Sequence, residues 1–326
     1  MGASTRGKAI ILAGILVFAC SGFVTGEPQQ EEAEFPSKPV EIVVSFGAGG
    51  SNDVLARIAA KYAEKYLGQE IIARNYPGGG QATGQLEAWN RPPDGYSVLT
   101  INPGIIQNPI LKDVPFEYDD WEPIVLYNLD PEVFAVNANS PYQTFEDVIE
   151  ASKKKPLKLI TPGAGTNPHV CGMYVEQQTG ARFEYVHAQS GADETMMLIG
   201  GHGDALINTI GAVYTAVQEG DVRLLGVMGE DITETIKEVD TQVKTFFDMG
   251  YDVGYWAWRG LGVKKGTPRE RVDILHDAFK KAVFDPECAR AFEEAGFSVV
   301  FKDGEDLVEF IEYQQGYMSE LLRKVQ

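Results

Sequence analysis

Apolar residues follow two alternating rhythms along this chain. Compact apolar runs predict strands, and stretches in which they recur every three or four positions predict helices. The first run is Val40-Glu41-Ile42-Val43-Val44. In the next stretch Leu55, Ile58, Ala59, Tyr62 and Tyr66 share one helical face. Asn52 and Asp53 stand where a cap belongs, and Gly68 supplies the stop. A strand is expected at Glu70–Arg74, then a glycine loop, Asn75–Gly84, and a short helix ending before Pro92-Pro93. Asp94-Gly95 turns into a third strand, Tyr96–Ile101. Strand–helix–strand–helix–strand is the signature of a parallel sheet with crossover helices.

The pattern continues. Trp121–Asn128 and Glu132–Asn137 read as two separate strands. Thr144-Phe145-Glu146-Asp147 has capping-box spacing, and Lys153–Lys155 close that helix at the favourable pole of its dipole. Strands follow at Leu157–Ile160, Phe183–Val186 and Asp204–Asn208. Between the first two lies a helix bearing Val170, Cys171, Tyr174 and Val175, stopped by Gly180. Arg223–Met228 is expected to return the chain to the first half, and Asp231–Val239 to form a polar helix. Tyr255–Val263 is strand-like; Trp256 and Trp258 are expected in the core, with the border of a binding cleft as the alternative. Val272, Leu275, Phe279 and Val283 share the face of a long helix after Thr267-Pro268. A helix starts at Asp285-Pro286, and the last, from about Asp303, carries Leu307, Phe310, Ile311 and Leu321.

Charge and composition narrow the class. A net charge of −19 argues against nucleic acid or an anionic membrane as partner. Arg6 and Lys8 precede an apolar stretch, Ala9–Ala19, too short to span a bilayer, and small residues follow. Residues 1–26 therefore read as an export signal, with cleavage after Gly26. Leu16-Val17-Phe18-Ala19-Cys20 offers the alternative of lipidation at Cys20. Residues 27–34 are acidic and polar, a tether before the folded part. Cys171 and Cys288 are expected as buried free thiols, and no Cys/His spacing suits zinc.

The stretch with the clearest chemistry is Ser45-Phe46-Gly47-Ala48-Gly49-Gly50-Ser51-Asn52-Asp53. A glycine-rich turn between a strand and a helix directs unpaired backbone N–H groups and a positive helix pole at one spot, which suits an anion. No lysine and hydroxyl follow the last glycine as a phosphate loop requires, and the dinucleotide glycine register is absent. Asp53 beside the turn disfavours a doubly charged phosphate. A carboxylate is the expected anion.

Several motifs resemble one family. They are Phe35–Val44, Gly49–Asp53 with Ala56-Arg57, Asn75–Gly80 and Pro93–Tyr96 in the first part of the chain. Further on come Gly163-Ala164-Gly165-Thr166 with His169, Gly200-Gly201, Arg223–Val227, Trp258-Arg259-Gly260-Leu261 and Gly266-Thr267-Pro268. Their order and spacing resemble the extracytoplasmic receptors of tripartite tricarboxylate transporters, the Bug-type solute-binding proteins.

The resemblance implies an α/β, two-lobed periplasmic binding protein fold of type II-like plan. Each lobe is then a mainly parallel sheet flanked by helices, with the ligand cleft between lobes. Lobe one takes residues 35–125 and 228–326, lobe two 126–227. The implied ligand is a small carboxylate: a di- or tricarboxylate, an acidic amino acid or an aromatic acid. The implied partners are the membrane permease subunits of the transporter, and the receptor is expected as a monomer without cofactor or metal.

Two facing loops would clamp the carboxylate. Phe46, Ala48, Gly49, Gly50, Ser51, Asn52, Asp53 and Gln81 are the candidates in lobe one. In lobe two the loop Thr161–His169 repeats the glycine turn, with Thr161, Thr166 and Asn167 donating from side chains, Ala164 and Gly165 from backbone, and His169 steadying the loop. His187 and Asn208 complete the set. The chain departs from the family at His187–Gly191, where a proline-tyrosine-lysine-glycine sequence is usual, and at Gly47-Ala48, where prolines are common. No catalytic residue is expected: Gln189-Ser190-Gly191 lacks the first glycine of a nucleophile elbow, and no His/carboxylate cluster suits a metal enzyme. A receptor that signals through a partner would share the same fold, and an exported hydrolase acting through paired acids is the weaker alternative.

Overall fold

A computed structural model describes residues 34–325 apart from Glu230, Val253 and Tyr255. The export signal, Cys20 and residues 27–33 of the tether lie outside the described residues.

The first stretch alternates as the hydrophobic pattern implies: β1 (Val40–Val44), α1 (Ser51–Leu67), β2 (Ile71–Asn75), α2 (Ala82–Trp89), β3 (Ser97–Ile101) and α3 (Gly104–Leu111). Next come β4 (Trp121–Asn137) and α4 (Phe145–Lys154). The alternation resumes with β5 (Leu157–Thr161), α5 (Asn167–Thr179), β6 (Phe183–His187), α6 (Gly191–Ile199), β7 (Ala205–Thr209) and α7 (Ile210–Gln218). The chain ends with β8 (Val222–Met228), α8 (Glu234–Val239), β9 (Trp256–Lys264), α9 (Arg269–Val283), α10 (Pro286–Glu294) and α11 (Gly304–Val325).

The strands join in the order β2-β1-β3-β9-β4-β7-β5-β6, with β8 also paired to β4. β1 is parallel to β2 and β3, and β5 is parallel to β6 and β7. In the first lobe β3 meets the antiparallel β9, which meets β4; in the second β7 meets the antiparallel β4, which meets β8. The two lobes therefore repeat one plan, and the carboxyl ends of both parallel sets lead into helix starts.

β4 corrects the expectation of two strands. It is one 17-residue strand whose Trp121–Pro131 portion pairs with β9 and whose Glu132–Asn137 portion pairs with β7 and β8. Asp130-Pro131 reads locally as a break, yet β9 holds it extended. β8 runs antiparallel to Glu132–Asn137, from Val222 opposite Asn137 to Met228 opposite Glu132.

α1 also differs in detail. Its buried face is Leu55, Ala56, Ala59, Ala60, Ala63 and Leu67, while Tyr66 is exposed and donates to Asp285 Oδ2 at 2.9 Å. Alanines allow α1 to pack closely against both the sheet and α9. Its cap is Gly50, in extended conformation, and Asp53 lies inside the first turn. The α4 capping box forms as expected: Asp147 N–H donates to Thr144 Oγ1 at 3.1 Å and Thr144 N–H to Asp147 Oδ2 at 2.9 Å. Cys171 and Cys288 are buried free thiols. α11 packs on α3, α5 and β4, so it ties elements of both lobes.

Candidate functional site

The two parallel sets run in opposite directions, so the helix starts that follow their strands face one another where the lobes meet. There a cavity of about 40 Å³ is lined by Phe46, Gly50, Ser51 and Asn52 before and in α1, Gln81 before α2, and Asn102 and Pro103 before α3. The second lobe adds Glu132, Pro162, Asn167, Pro168, Gly191 and Asn208, and β9 adds Ala257, Trp258 and Arg259. The amides of Ser51, Asn52 and Asn167, in the first turns of α1 and α5, have no acceptor among the described residues. Unpaired amides at two facing helix starts make an anion-receiving wall from both sides.

A wider opening of about 570 Å³ adjoins it and shares Phe46, Gln81 and Pro162. Ala164, His187 and Lys112 line this opening. Lys112 Nζ donates to Gly79 O at 2.6 Å, Gly80 O at 2.9 Å, Asn108 Oδ1 at 2.7 Å and Ala164 O at 3.3 Å. It thus joins the glycine loops of the two lobes, and burial lowers its pKa to about 8.

The glycines serve lobe–lobe approach. Gly47 N–H donates to Gln189 O at 3.1 Å, and a Cβ on Gly47 would stand 3.0 Å from that oxygen. A Cβ on Gly80 would collide with Ala164 O. Ser51 Oγ lies 3.3 Å from Thr209 Oγ1 across the interface. The lobes are closed on one another.

Charge is buried at the cavity wall. Arg259 is 4 % exposed; its Nη1 donates to Asn128 Oδ1 at 2.6 Å and its Nη2 to Thr209 Oγ1 at 2.9 Å, with Asp130 Oδ2 3.9 Å away. Asp130 accepts from Asn128 Nδ2 at 2.7 Å and Ser298 N at 3.2 Å. Glu132 Oε1 accepts from Asn167 Nδ2 at 2.8 Å, and Glu194 Oε2 from Asn208 Nδ2 at 2.5 Å. Burial raises the pKa of all three acids against these hydrogen bonds, that of Glu132 to about 7.

The residues singled out from sequence divide by place. Phe46, Gly50, Ser51, Asn52, Gln81, Asn167 and Asn208 line the cavity, whereas Ala164 and His187 line the wider opening. Asn167 and Asn208 turn their amide nitrogens onto Glu132 and Glu194. Ala48 and Gly49 are exposed. Gly49 N–H donates to Asp53 Oδ2 at 2.9 Å. Asp53 also accepts from Arg57 Nε and Asn75 Nδ2, each at 2.8 Å. Burial opposes its ionisation, but these bonds outweigh it and lower the pKa. Thr166 Oγ1 donates to Gly163 O at 2.7 Å, Gly165 N–H donates to His169 Nδ1 at 2.9 Å, and Thr161 Oγ1 lies 2.9 Å from His187 Nδ1. These groups shape the second loop from within.

Sequence reasoning gave Glu132, Glu194 and Arg259 no role. The signal was present: each of Glu132 and Arg259 interrupts an apolar strand, where an isolated charge needs a buried partner. Among the described residues no group of His, Cys, Asp or Glu could hold a metal ion, and no helix is long and apolar enough to cross a membrane.

Residues 55–326 match the model of the tripartite tricarboxylate transporter family receptor. A UPF0065 protein of Cupriavidus necator, from the gbd 5' region, is 28 % identical over 314 residues, covering 94 % of this chain and 93 % of its own length. A TctC solute-binding protein from Polaromonas is 29 % identical with a TM-score of 0.65, over 89 % of this chain and 99 % of its own. The periplasmic binding protein BugD is 25 % identical with a TM-score of 0.83, over 89 % and 98 %.

Proposed function

The chain belongs to the tripartite tricarboxylate transporter receptor family, and we propose that it captures a small carboxylate between its lobes and delivers it to a membrane permease. The supporting observation is the pair of facing helix starts, whose Ser51, Asn52 and Asn167 amides share one cavity without acceptors among the described residues. Backbone N–H groups hold an anion at hydrogen-bond range, while surface acids are screened over about 8–10 Å at physiological salt. An acidic chain can therefore carry an anion site.

The ligand class is a di- or tricarboxylate, an acidic amino acid or an aromatic acid. It enters an open cleft, first meets the Phe46–Asn52 loop and Gln81, and closure brings up the Thr161–His169 loop. Ligand shifts the open–closed equilibrium by its differential affinity for the two states. The closed form presents its joined face to the permease. The moving bodies are residues 35–125 with 228–326, and residues 126–227. The protein is a periplasmic solute-binding protein; we place it there as a monomer, released after Gly26 or anchored through Cys20. This reading assigns no catalytic residue and no cofactor.

Thermal unfolding of the mature protein against a panel of carboxylates, each paired with its amide, tests the reading. A ligand at a hundred times its Kd stabilises by about 2.7 kcal/mol. A raised midpoint with an acid and none with its amide is expected; a flat panel counts against carboxylate capture.

A further inference from the structure

Four buried polar atoms on cavity residues lack a partner among the described residues: Glu132 Oε2, Gln81 Oε1, Arg259 Nε and Trp258 Nε1. Each of these side chains is 4 % exposed or less. Two of the atoms are acceptors and two are donors. A plain carboxylate answers the donors alone, and its oxygens would face the two acceptors. Leaving such buried acceptors unmatched carries a desolvation penalty.

Donor counting points the same way. Asp130 and Glu132 are buried beside Arg259, and Glu194 is buried near Glu132. The carboxyls are firmly placed. Asn167, which donates to Glu132, itself accepts from Gln107 Nε2 at 3.2 Å, and Asn208, which donates to Glu194, accepts from Thr209 N at 2.8 Å. A ligand ammonium carries up to three donors and can answer both acceptors at once. A hydroxyl has a single donor and answers only one of them.

We propose that the ligand is an amino-carboxylate, with its carboxylate on the amides that begin α1 and α5 and its cationic amino group against Glu132 Oε2 and Gln81 Oε1. This rests on the carboxylate-receptor reading and narrows it, making Glu132 a specificity-determining residue. The remainder of the ligand extends past Phe46, Gln81 and Pro162 into the wider opening.

Titration calorimetry on protein stripped of ligand by unfolding and refolding tests this. Three skeletons are compared, each bearing an amino group, a hydroxyl or hydrogen: aspartate, malate and succinate; alanine, lactate and propanoate; phenylalanine, phenyllactate and phenylpropanoate. The amino form is expected to bind at least about tenfold tighter than both analogues on the preferred skeleton. Glu132→Gln is expected to bring that ratio close to one. The proposal is overturned if the hydroxy or unsubstituted acid equals or exceeds its amino counterpart on each skeleton that binds, or if Glu132→Gln keeps the ratio. Should that variant not fold, the wild-type ranking decides alone. Binding of acids without amino preference defeats this proposal and leaves carboxylate capture standing; binding of none defeats both.

Discussion

The amide of Gly165 donates to His169 Nδ1 at 2.9 Å, four residues on, and thereby braces the turn that starts α5. Gly49 makes the same contact with Asp53 Oδ2 at 2.9 Å before α1. The two lobes thus use one device with different side chains. In each, a group in the first turn reaches back to a loop amide, which leaves the next amides, Ser51 and Asn167, facing the cavity.

This device makes the second loop sensitive to acid. Burial first, then the nearby positive charges of His187 and Lys112, lower the His169 pKa to about 4. The unfolded chain takes up the proton first, near pH 6.5. Stability from this group is therefore complete above about pH 6.5 and is lost as pH falls towards 4. His169→Gln retains an acceptor but cannot titrate. Urea unfolding of both proteins between pH 7 and 4 should show an extra loss in the wild type on the order of 1 kcal/mol, after allowing for partial exposure. Parallel curves would remove His169 from the account.

Gly80 and Gly68 separate closure from backbone strain. Both have positive φ, 54° and 73°. A Cβ on Gly68 meets nothing within 4 Å, whereas on Gly80 it meets Ala164 O of the other lobe. Gly68→Ala should lower the midpoint by about 2–4 °C and leave ligand-induced stabilisation intact. Gly80→Ala should also weaken ligand-induced stabilisation, because closure is blocked. Equal ligand responses would show that these loops need not meet.

Lys112 should act as a latch rather than a ligand group. Its ammonium is taken up by Gly79 O, Gly80 O, Asn108 Oδ1 and Ala164 O. Lys112→Met keeps the length of the side chain and removes those bonds. Small-angle scattering should then show a larger radius of gyration without ligand, recovered by saturating ligand. A variant as compact as wild type would exclude the latch.

Arg259→Met should be among the costlier substitutions. It leaves Asp130 and Glu132 buried without their guanidinium. Removing one partner of a buried charge set costs about 3–5 kcal/mol. Burial raises the Glu132 pKa to about 7, so this acid is ionised above that value and neutral well below it. The destabilisation, read by chemical denaturation, should therefore be larger at pH 8 than at pH 5. A loss independent of pH would mean that packing, rather than charge, explains it.

Local physics alone determined much of this protein. The strand before Ser45, the glycine turn and the helix after Gly50 follow from neighbouring residues, as does the capping box at Thr144 and Asp147. The motifs that carry the family resemblance lie along the chain in order, so the two-lobed fold was legible too. What remained depends on pairs far apart in sequence. β9 holds Asp130-Pro131 extended where the local signal reads as a break, and α9 selects the alanine face of α1. Glu132 and Arg259 are only strand charges in the sequence; the meeting of β4 and β9 under the helix starts makes them a cavity wall. Which glycines face the opposite lobe was likewise decided by closure, because a Cβ is excluded by atoms of the other lobe that local sequence does not contain.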